Sequence, residues 1–359
     1  MELHLQNSTT QLADLALSTL KQLIEIESFS RQEDKTADLL QNTLASLGIA
    51  FERKGNNVWA KNLYFDAAKP SVLLNSHHDT VKPNKGYTLN PFEAIEKDGK
   101  LYGLGSNDAG GALVSLMAAF LYYYDKPSLN YNVIFAATAE EEVSGTGGIE
   151  LIANELGEIY LGIVGEPTEM HLAIAEKGLL VLDCVSHGTA SHAAHENNNN
   201  ALYKALADIE WFRTYHFPEK SEILGDVKMT VTIIKAGSQH NVISDKCEFT
   251  VDIRTNDKYR NADVLAVVKQ HVSSEVTARS LRLNSSAISP EHPFVKAGLA
   301  LGRKIYGSPT TSDQALMNFP TVKLGPGNSL RSHSSDEFIF VDEIREGIEI
   351  YCKLLSSIL

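Results

Sequence analysis

The sequence predicts an α/β protein: a mixed-sheet domain with helices on both faces, interrupted by a smaller inserted α+β domain. Three observations lead there. Apolar runs of strand length alternate with helical stretches through residues 1–171, strands alternating polar with apolar residues fill 172–290, and the first texture returns over 291–359. With 359 residues the chain also exceeds one ordinary domain, so two are expected.

The elements follow in order. Over Gln11 to Leu47, Leu12, Leu15, Leu20, Leu23 and Ile24 form one apolar stripe at roughly helical spacing, and Ala37, Leu40 and Leu44 form another. Ser28 and Ser30 interrupt this region and Gly48 closes it, which predicts a helix pair. Val58 to Leu63 and Ser71 to Ser76 read as strands, the second carrying the run VLL that suits a buried central position. A loop rich in Gly, Pro and Asn over Lys82 to Asn90 leads to a small-residue helix at Gly110 to Tyr124. A strand at Asn132 to Ala137, a helix at Gly147 to Leu156 and a strand at Ile159 to Val164 come next. This repetition predicts a sheet covered on both faces.

Beyond residue 172, strands at Leu179 to Ser186, Val227 to Lys235, Glu248 to Arg254 and Ser280 to Ala287 accompany helices at Asn200 to Tyr215 and Asn261 to Val272. Strand, helix, strand, strand, helix, strand is the split pattern of a ferredoxin-like domain. Alternation along its strands suits an antiparallel sheet with one face covered. A helix at Pro293 to Leu301, a strand at Thr321 to Leu324 and a last helix at Val341 to Ile358 then complete the first core.

Composition bounds the partners. Hydrophobic residues at 43% and charged residues at 21% are ordinary for a globular protein with a large core. A net charge of -13 argues against nucleic acid and anionic membrane surfaces. Cys184, Cys247 and Cys352 lie far apart without a CxxC pair and read as buried thiols in a reducing compartment. The start, MELHLQNSTT, is polar, and every apolar stretch falls short of the roughly 18 residues a membrane span needs, so a cytoplasmic protein is expected.

Five segments concentrate His, Asp and Glu. His77 and Asp79 in LLNSHHDTV follow a buried strand, the end at which α/β proteins gather ligands. Alone, such a pair reads more readily as a satisfied surface histidine than as a metal site. In YGLGSNDAGG, glycines bracket Asp108 before a helix, but the spacing is not that of a dinucleotide-binding GxGxxG. AATAEEEVSGTGG places Glu140, Glu141 and Glu142 after an apolar strand. A solvated charge run is the usual reading of a triplet, yet adjacent side chains of extended backbone point opposite ways, so one could bind metal while its neighbour stays free as a base. Glu166 in IVGEPTE follows another strand, and His333 lies in LRSHSSDEF after Gly325 and Gly327.

Together these supply His77, Asp108, Glu142, Glu166 and His333 in loops that could converge at one rim of the sheet. One shared carboxylate with a His and a carboxylate on each side describes a pair of metal sites suited to activating water against a carbonyl. Glu141 is then the candidate proton shuttle. Asp79 is the candidate partner for the far nitrogen of His77. HExxH, GxSxG and GxxxxGK[ST] are all missing.

At this point the chain resembles a known family, the M20 metallopeptidases, which include acetylornithine deacetylase, succinyl-diaminopimelate desuccinylase, aminoacylase and glutamate carboxypeptidase. The likeness runs over nearly the whole length and rests on HHDTV, GLGSNDAGG, EEEVSG, GEPT and SHSSDE occurring in order. It implies that His77 and Glu166 hold one zinc, Glu142 and His333 the other, and Asp108 bridges them, with cobalt or manganese as other occupants. It implies Asp79 and Glu141 as catalytic residues, the first orienting His77 and the second acting as acid and base, and leaves His78 out of the ligand set. The inserted domain resembles the family's lid and dimerisation domain, so a homodimer is expected. GTASHAAHENNNNA there resembles the segment whose histidine stabilises the oxyanion, a role falling on His192 rather than His195. NVIS and VDIRT make Asn241 and Arg254 candidates for the substrate's carboxylate or polar groups. There are departures: Pro83 is shifted by one, Ser244 stands where a Pro is usual, and Gly110 stands where a Lys is frequent.

The implied reaction is hydrolysis of an N-acyl amino acid, with N-acetylornithine or an acetylated or succinylated ornithine, citrulline or lysine as substrate. A small-peptide carboxypeptidase or dipeptidase is the nearest alternative, and a non-catalytic metal-dependent binding protein a remote one.

Overall fold

The computed structural model describes residues 8–359; residues 1–7, within the polar start MELHLQNSTT, lie outside the described residues. The chain divides into two compact units. The first runs to Ile174 and takes in Ile288–Tyr306 and Ser312–Leu359, and the second comprises Ala175–Ala287 with Gly307–Thr311. The sequence places the junctions at 171/172 and 290/291, a few residues outside those of the structure, and does not foresee that 307–311 joins the second unit.

In the first unit, α1 (Thr9–Ile24) starts at Ser8, whose hydroxyl accepts the Gln11 N–H while the Gln11 side chain accepts the Ser8 N–H. This capping box satisfies backbone donors that a helix start leaves free. There follow α2 (Asp34–Ser46), β1 (Phe51–Lys54), β2 (Asn57–Lys61), β3 (Ser71–His77), α3 (Gly111–Tyr123), β4 (Asn132–Thr138), β5 (Ile159–Val164), β6 (Leu172–Glu176), α4 (Pro293–Ala300), β7 (Thr321–Lys323) and α5 (Val341–Leu355). The sheet order is β1, β2, β4, β3, β5, β7, β6. The pairs of β4 with β3, β3 with β5 and β5 with β7 are parallel, so these four strands end at the same rim.

Every residue of β3 and β4 is buried, as covered faces require. Within β3 the alternation is visible in the packing: Val72 and Leu74 belong to the large core with α1, α3 and α5, whereas Leu73 faces a smaller core with Ile134, Ile149 and Ile152. The helix α3 is apolar all round and accordingly buried. The expected helix at Gly147 to Leu156 is only a short one, Ile149–Ile152, followed by a 3₁₀ turn.

The second unit has a four-stranded antiparallel sheet in the order Lys228–Ala236, Lys246–Thr255, Gly178–His187, Glu275–Ala278. The helices Ala201–Thr214 and Asn261–His271 occur between its strands in the chain. Leu180, Leu182, Cys184, Phe249, Val251 and Ile253 point from alternate positions into one core with Ala205, Phe212, Val264 and Val268. The last strand lies a few residues before the expected Ser280 to Ala287, where only Ser286–Ala287 is extended and pairs with Glu176 and Ala175. All three cysteines are buried and free. No helix among the described residues is long and apolar enough to cross a membrane.

Candidate metal centre

The rim shared by the parallel strands collects the acidic and imidazole groups. His77 is the last residue of β3, Glu141 and Glu142 lie in a 3₁₀ turn after β4, and Glu166 lies two residues after β5. The register brings these together, because His77 stands opposite Thr138 and Asn75 opposite Val164. Asp108 sits in the turn before α3, and His333 in a left-handed conformation after the 3₁₀ turn Ser329–Arg331.

Close approach of backbone explains the glycines around Asp108. Gly105 has a φ of 75°, and a Cβ on Gly110 would lie 2.5 Å from the Gly105 oxygen and 2.6 Å from Leu20 Cδ1. The turn therefore has no space for the lysine that is frequent at position 110.

The seven expected members of the centre in the first unit form one cluster. His77 Nδ1 lies 2.9 Å from the backbone oxygen of Asp79, which makes Nδ1 a donor and turns Nε2 toward the carboxylates. That Nε2 is buried and has no hydrogen-bond partner among the described residues. Around it stand Asp108 Oδ1 at 3.4 Å, Glu166 Oε1 at 3.7 Å and Glu141 Oε2 at 4.0 Å. The other oxygen of Asp108 faces His333 Nε2 at 3.6 Å, and His333 is in turn 3.0 Å from Glu142 Oε2. Two triplets, His77 with Asp108 and Glu142, and His77 with Glu141 and Glu166, have ligand atoms all within 4.8 Å of one another. Ligands about 2.1 Å from a tetrahedral cation lie about 3.4 Å apart, so the donors present fit divalent metal. An orphaned imidazole nitrogen ringed by carboxylates is the decisive feature of that fit.

The electrostatics point the same way. Burial pushes the His77 pKa down, but its contacts with Asp108 and Asp79 and the charges of Glu141 and Glu166 outweigh this and raise it well above the usual value. His333 is pushed up to about 9, chiefly by its hydrogen bond to Glu142. Both imidazoles thus sit where positive charge is strongly favoured. Burial raises Glu141 well above the ordinary carboxylate range, with the charges of Glu166, Asp313 and Glu142 adding to it against His77. Burial, then the charge of Asp108, pushes Glu166 up to about 8 despite His77 and Lys323.

Asp79 faces the far nitrogen of His77 and also reaches the turn after β4. Its carboxylate stays 3.5 Å from His77 Nδ1, which bonds the Asp79 carbonyl instead. The carboxylate accepts the N–H groups of Glu141 at 3.0 Å and Glu142 at 3.2 Å, and the hydroxyl of Ser30 at 2.7 Å. His78 turns away from the centre, with Nε2 2.8 Å from the Asn56 carbonyl and Nδ1 2.9 Å from Thr36 Oγ1.

Three candidates belong to the second unit. His192 is exposed, its Nδ1 accepting the Ala194 N–H, and Asn241 is exposed as well. Arg254 is held in a bidentate pair with Asp252 at 2.8 and 3.1 Å.

Sequence reading missed two buried acids. Asp313 accepts from Asn75 Nδ2 and Thr138 Oγ1, both at 3.0 Å, and so links the ends of β3 and β4. Glu337 accepts the N–H groups of Asn107 and Asp108, both at 2.9 Å. Its only signal was its place in SHSSDE, four residues after His333.

Comparison with known proteins gives this arrangement its context. Residues 73–357 match Peptidase family M20/M25/M40. The chain belongs to that family. It is a metal-dependent amidohydrolase with a candidate dinuclear centre. Similar proteins include the succinyl-diaminopimelate desuccinylase of Rickettsia bellii (strain RML369-C), 27% identical over 95% of this chain and 96% of that protein. The acetylornithine deacetylase of Proteus mirabilis (strain HI4320) is 29% identical over 91% of this chain and 93% of its own length. Among solved structures, the aminopeptidase PepT of Bacillus cereus ATCC 10987 shares the fold with a TM-score of 0.77 at 17% identity, over 96% of this chain and 98% of the other.

Proposed function

We propose that this M20 hydrolase cleaves the amide of an N-acyl amino acid, with N-acetylornithine or an acetylated or succinylated ornithine, citrulline or lysine as its substrate. The observation that carries the reading is Asp108, whose two oxygens face two different histidines. In this reading His77 and Glu166 hold one divalent cation, Glu142 and His333 hold the other, and Asp108 joins them. Zinc suits such mixed imidazole and carboxylate sites, and cobalt or manganese can replace it. When bound, the pair would polarise the amide carbonyl and acidify a water molecule.

The protein's own groups handle the proton. Glu141 takes one from the attacking water as the new C–O bond forms and delivers it to the nitrogen as the C–N bond breaks, yielding a carboxylic acid and a free amine. A carboxyl group whose affinity for protons is raised by burial is suited to both halves of that transfer. Asp79 keeps the turn of Glu141 and Glu142 in position through their N–H groups. His192 is assigned the developing oxyanion and Asn241 and Arg254 the substrate carboxylate, although Arg254 must share or leave Asp252 to take part. The second unit is read as a ferredoxin-like lid and dimerisation domain, and its edge strand Lys228–Ala236, with Ile233 and Ile234 exposed, supports a homodimer. The enzyme is assigned to the cytoplasm.

The test is a rate panel of acetyl- and succinyl-ornithine, -citrulline, -lysine and -diaminopimelate beside simple dipeptides, with metal content measured on the same protein. Two metals per chain and chelator-sensitive cleavage of the acylated amino acids are expected. Preference for dipeptides would overturn the substrate assignment, and hydrolysis indifferent to chelator would overturn the centre.

A further inference from the structure

Asp108 presents its carboxylate toward two imidazoles at once from the turn Ser106–Gly110, in which its own backbone and that of Ala109 are not helical. Burial pushes the Asp108 pKa up, but its contacts with His77 and Ser332 and the charge of His333 bring it below the usual carboxylate range. Those contacts act on the side chain, and a separate residue holds the backbone that carries it.

Glu337 lies immediately before the strand Phe338–Phe340 and is 1% exposed. Its Oε1 accepts the backbone N–H groups of Asn107 and Asp108, both at 2.9 Å, while its own carbonyl accepts the N–H of Gly103 at 3.0 Å. Successive backbone N–H groups converging on one oxygen form an anion-binding nest. Here a side-chain carboxylate fills it. The turn carrying Asp108 is thereby tied to the loop carrying His333, some 229 residues away in sequence, as measured by the Asp108–Glu337 bond. The Asn107 side chain strengthens the tie by donating to the Asn328 carbonyl at 3.1 Å and accepting the Asn328 N–H at 3.1 Å.

The structure assigns Glu337 as the positioning residue that holds Asp108 between His77 and His333. The inference rests on the dinuclear reading of the centre. It predicts that the spacing of the metal ligands depends on a carboxylate that touches no metal. Asp79 offers an internal parallel, since it too accepts two consecutive N–H groups from a turn of acidic site residues. In both cases a carboxyl oxygen that accepts consecutive backbone N–H groups holds a turn of acidic site residues in place.

The experiment compares wild type with Glu337→Gln, Glu337→Asp and Glu337→Ala. Metal binding is titrated with cobalt, reading both stoichiometry and the visible spectrum, and hydrogen exchange is followed at Asn107 and Asp108 in metal-free protein. Glu337→Gln retains an acceptor oxygen at the same reach, whereas Glu337→Asp retains the charge on a side chain one methylene shorter. We expect Glu337→Asp and Glu337→Ala to weaken cobalt binding at least ~10-fold and alter the spectrum, the scale typical of groups that orient ligands. They should also speed exchange at the two amides, and Glu337→Gln should recover most of both properties. Any variant without a wild-type far-UV circular dichroism spectrum is set aside, and Glu337→Gln against Glu337→Asp then decides. Unchanged cobalt affinity, spectrum and exchange in a folded Glu337→Asp would overturn the assignment. Wild type that binds no cobalt would instead sink the dinuclear reading, so the two failures are distinct.

Discussion

In the function proposed above, Glu141 carries protons beside the ligand Glu142. Its carboxylate lies 4.0 Å from His77 Nε2, and its backbone is fixed by Asp79. Glu141→Ala is therefore expected to keep both metals and lose turnover by about 10²–10⁴-fold, the range of a general acid–base contribution. Metal analysis beside steady-state kinetics checks this, and ordinary activity in the variant would remove the assignment. A second residue-scale prediction concerns His78, whose burial pushes its pKa down from the usual 6.5 to about 4. The folded protein then takes up this proton only near pH 4, while the unfolded chain takes it up near 6.5. The stability that the neutral ring contributes is complete above pH 6.5 and is lost as pH falls toward 4. The whole displacement is worth about 3 kcal/mol. In chelator-treated protein, urea unfolding from pH 7.5 to 4 should show wild type losing about that much more stability than His78→Asn; parallel curves would refute it. The adjacent pair His77 and His78 also shows what sequence can convey. The HHDTV motif singled out His77, but the partners of His78, Thr36 and the Asn56 carbonyl, come from distant segments that no local pattern announces.

At the scale of elements, parallel strands bring the site together by sharing one rim. The runs at Ser71 to Ser76, Asn132 to Ala137 and Ile159 to Val164 were legible because buried strands are continuous in apolar residues. Strands such as Phe51–Lys54, which exposes alternate charged residues at the sheet edge, carry a weaker pattern and were missed. The turn into α3 was legible only as a cluster of glycines. The reason for Gly110 is tertiary, the nearness of the Gly105 oxygen and of Leu20 from α1. Because the obstructing oxygen is backbone, an added methyl has to move the turn itself. Gly110→Ala should accordingly cost about 1–3 kcal/mol of stability. It should also weaken metal binding, since the turn carries Asp108. Thermal unfolding with and without chelator separates the two effects, and a variant equal to wild type in both would show that the turn yields freely.

At the scale of the whole molecule, the proposed homodimer makes a prediction about which subunit His192 serves. The two-unit organisation was legible from the change in strand patterning, because a sheet with one uncovered face alternates where a doubly covered one does not. The excursion of residues 307–311 into the second unit was not, since five residues are too few to carry a pattern. Ile233 and Ile234 on the edge strand, and Tyr203 and Leu206 on the helix Ala201–Thr214, are large apolar residues left exposed. If the enzyme is a homodimer in which His192 serves the partner's centre, two inactive variants should rescue each other. Glu141→Ala lacks the proton shuttle but offers an intact His192, and His192→Ala has the reverse. A mixed dimer then contains one centre with both groups, whereas His192 acting within its own subunit leaves every centre short of one. Unfolding and refolding the two variants together should therefore restore hydrolysis, to about a quarter of the wild-type rate per chain: random pairing makes half of the dimers mixed, and half of their centres are complete. Each variant alone should still bind two metals. A mixture no more active than its components, with dimers verified by light scattering, would assign His192 to its own subunit.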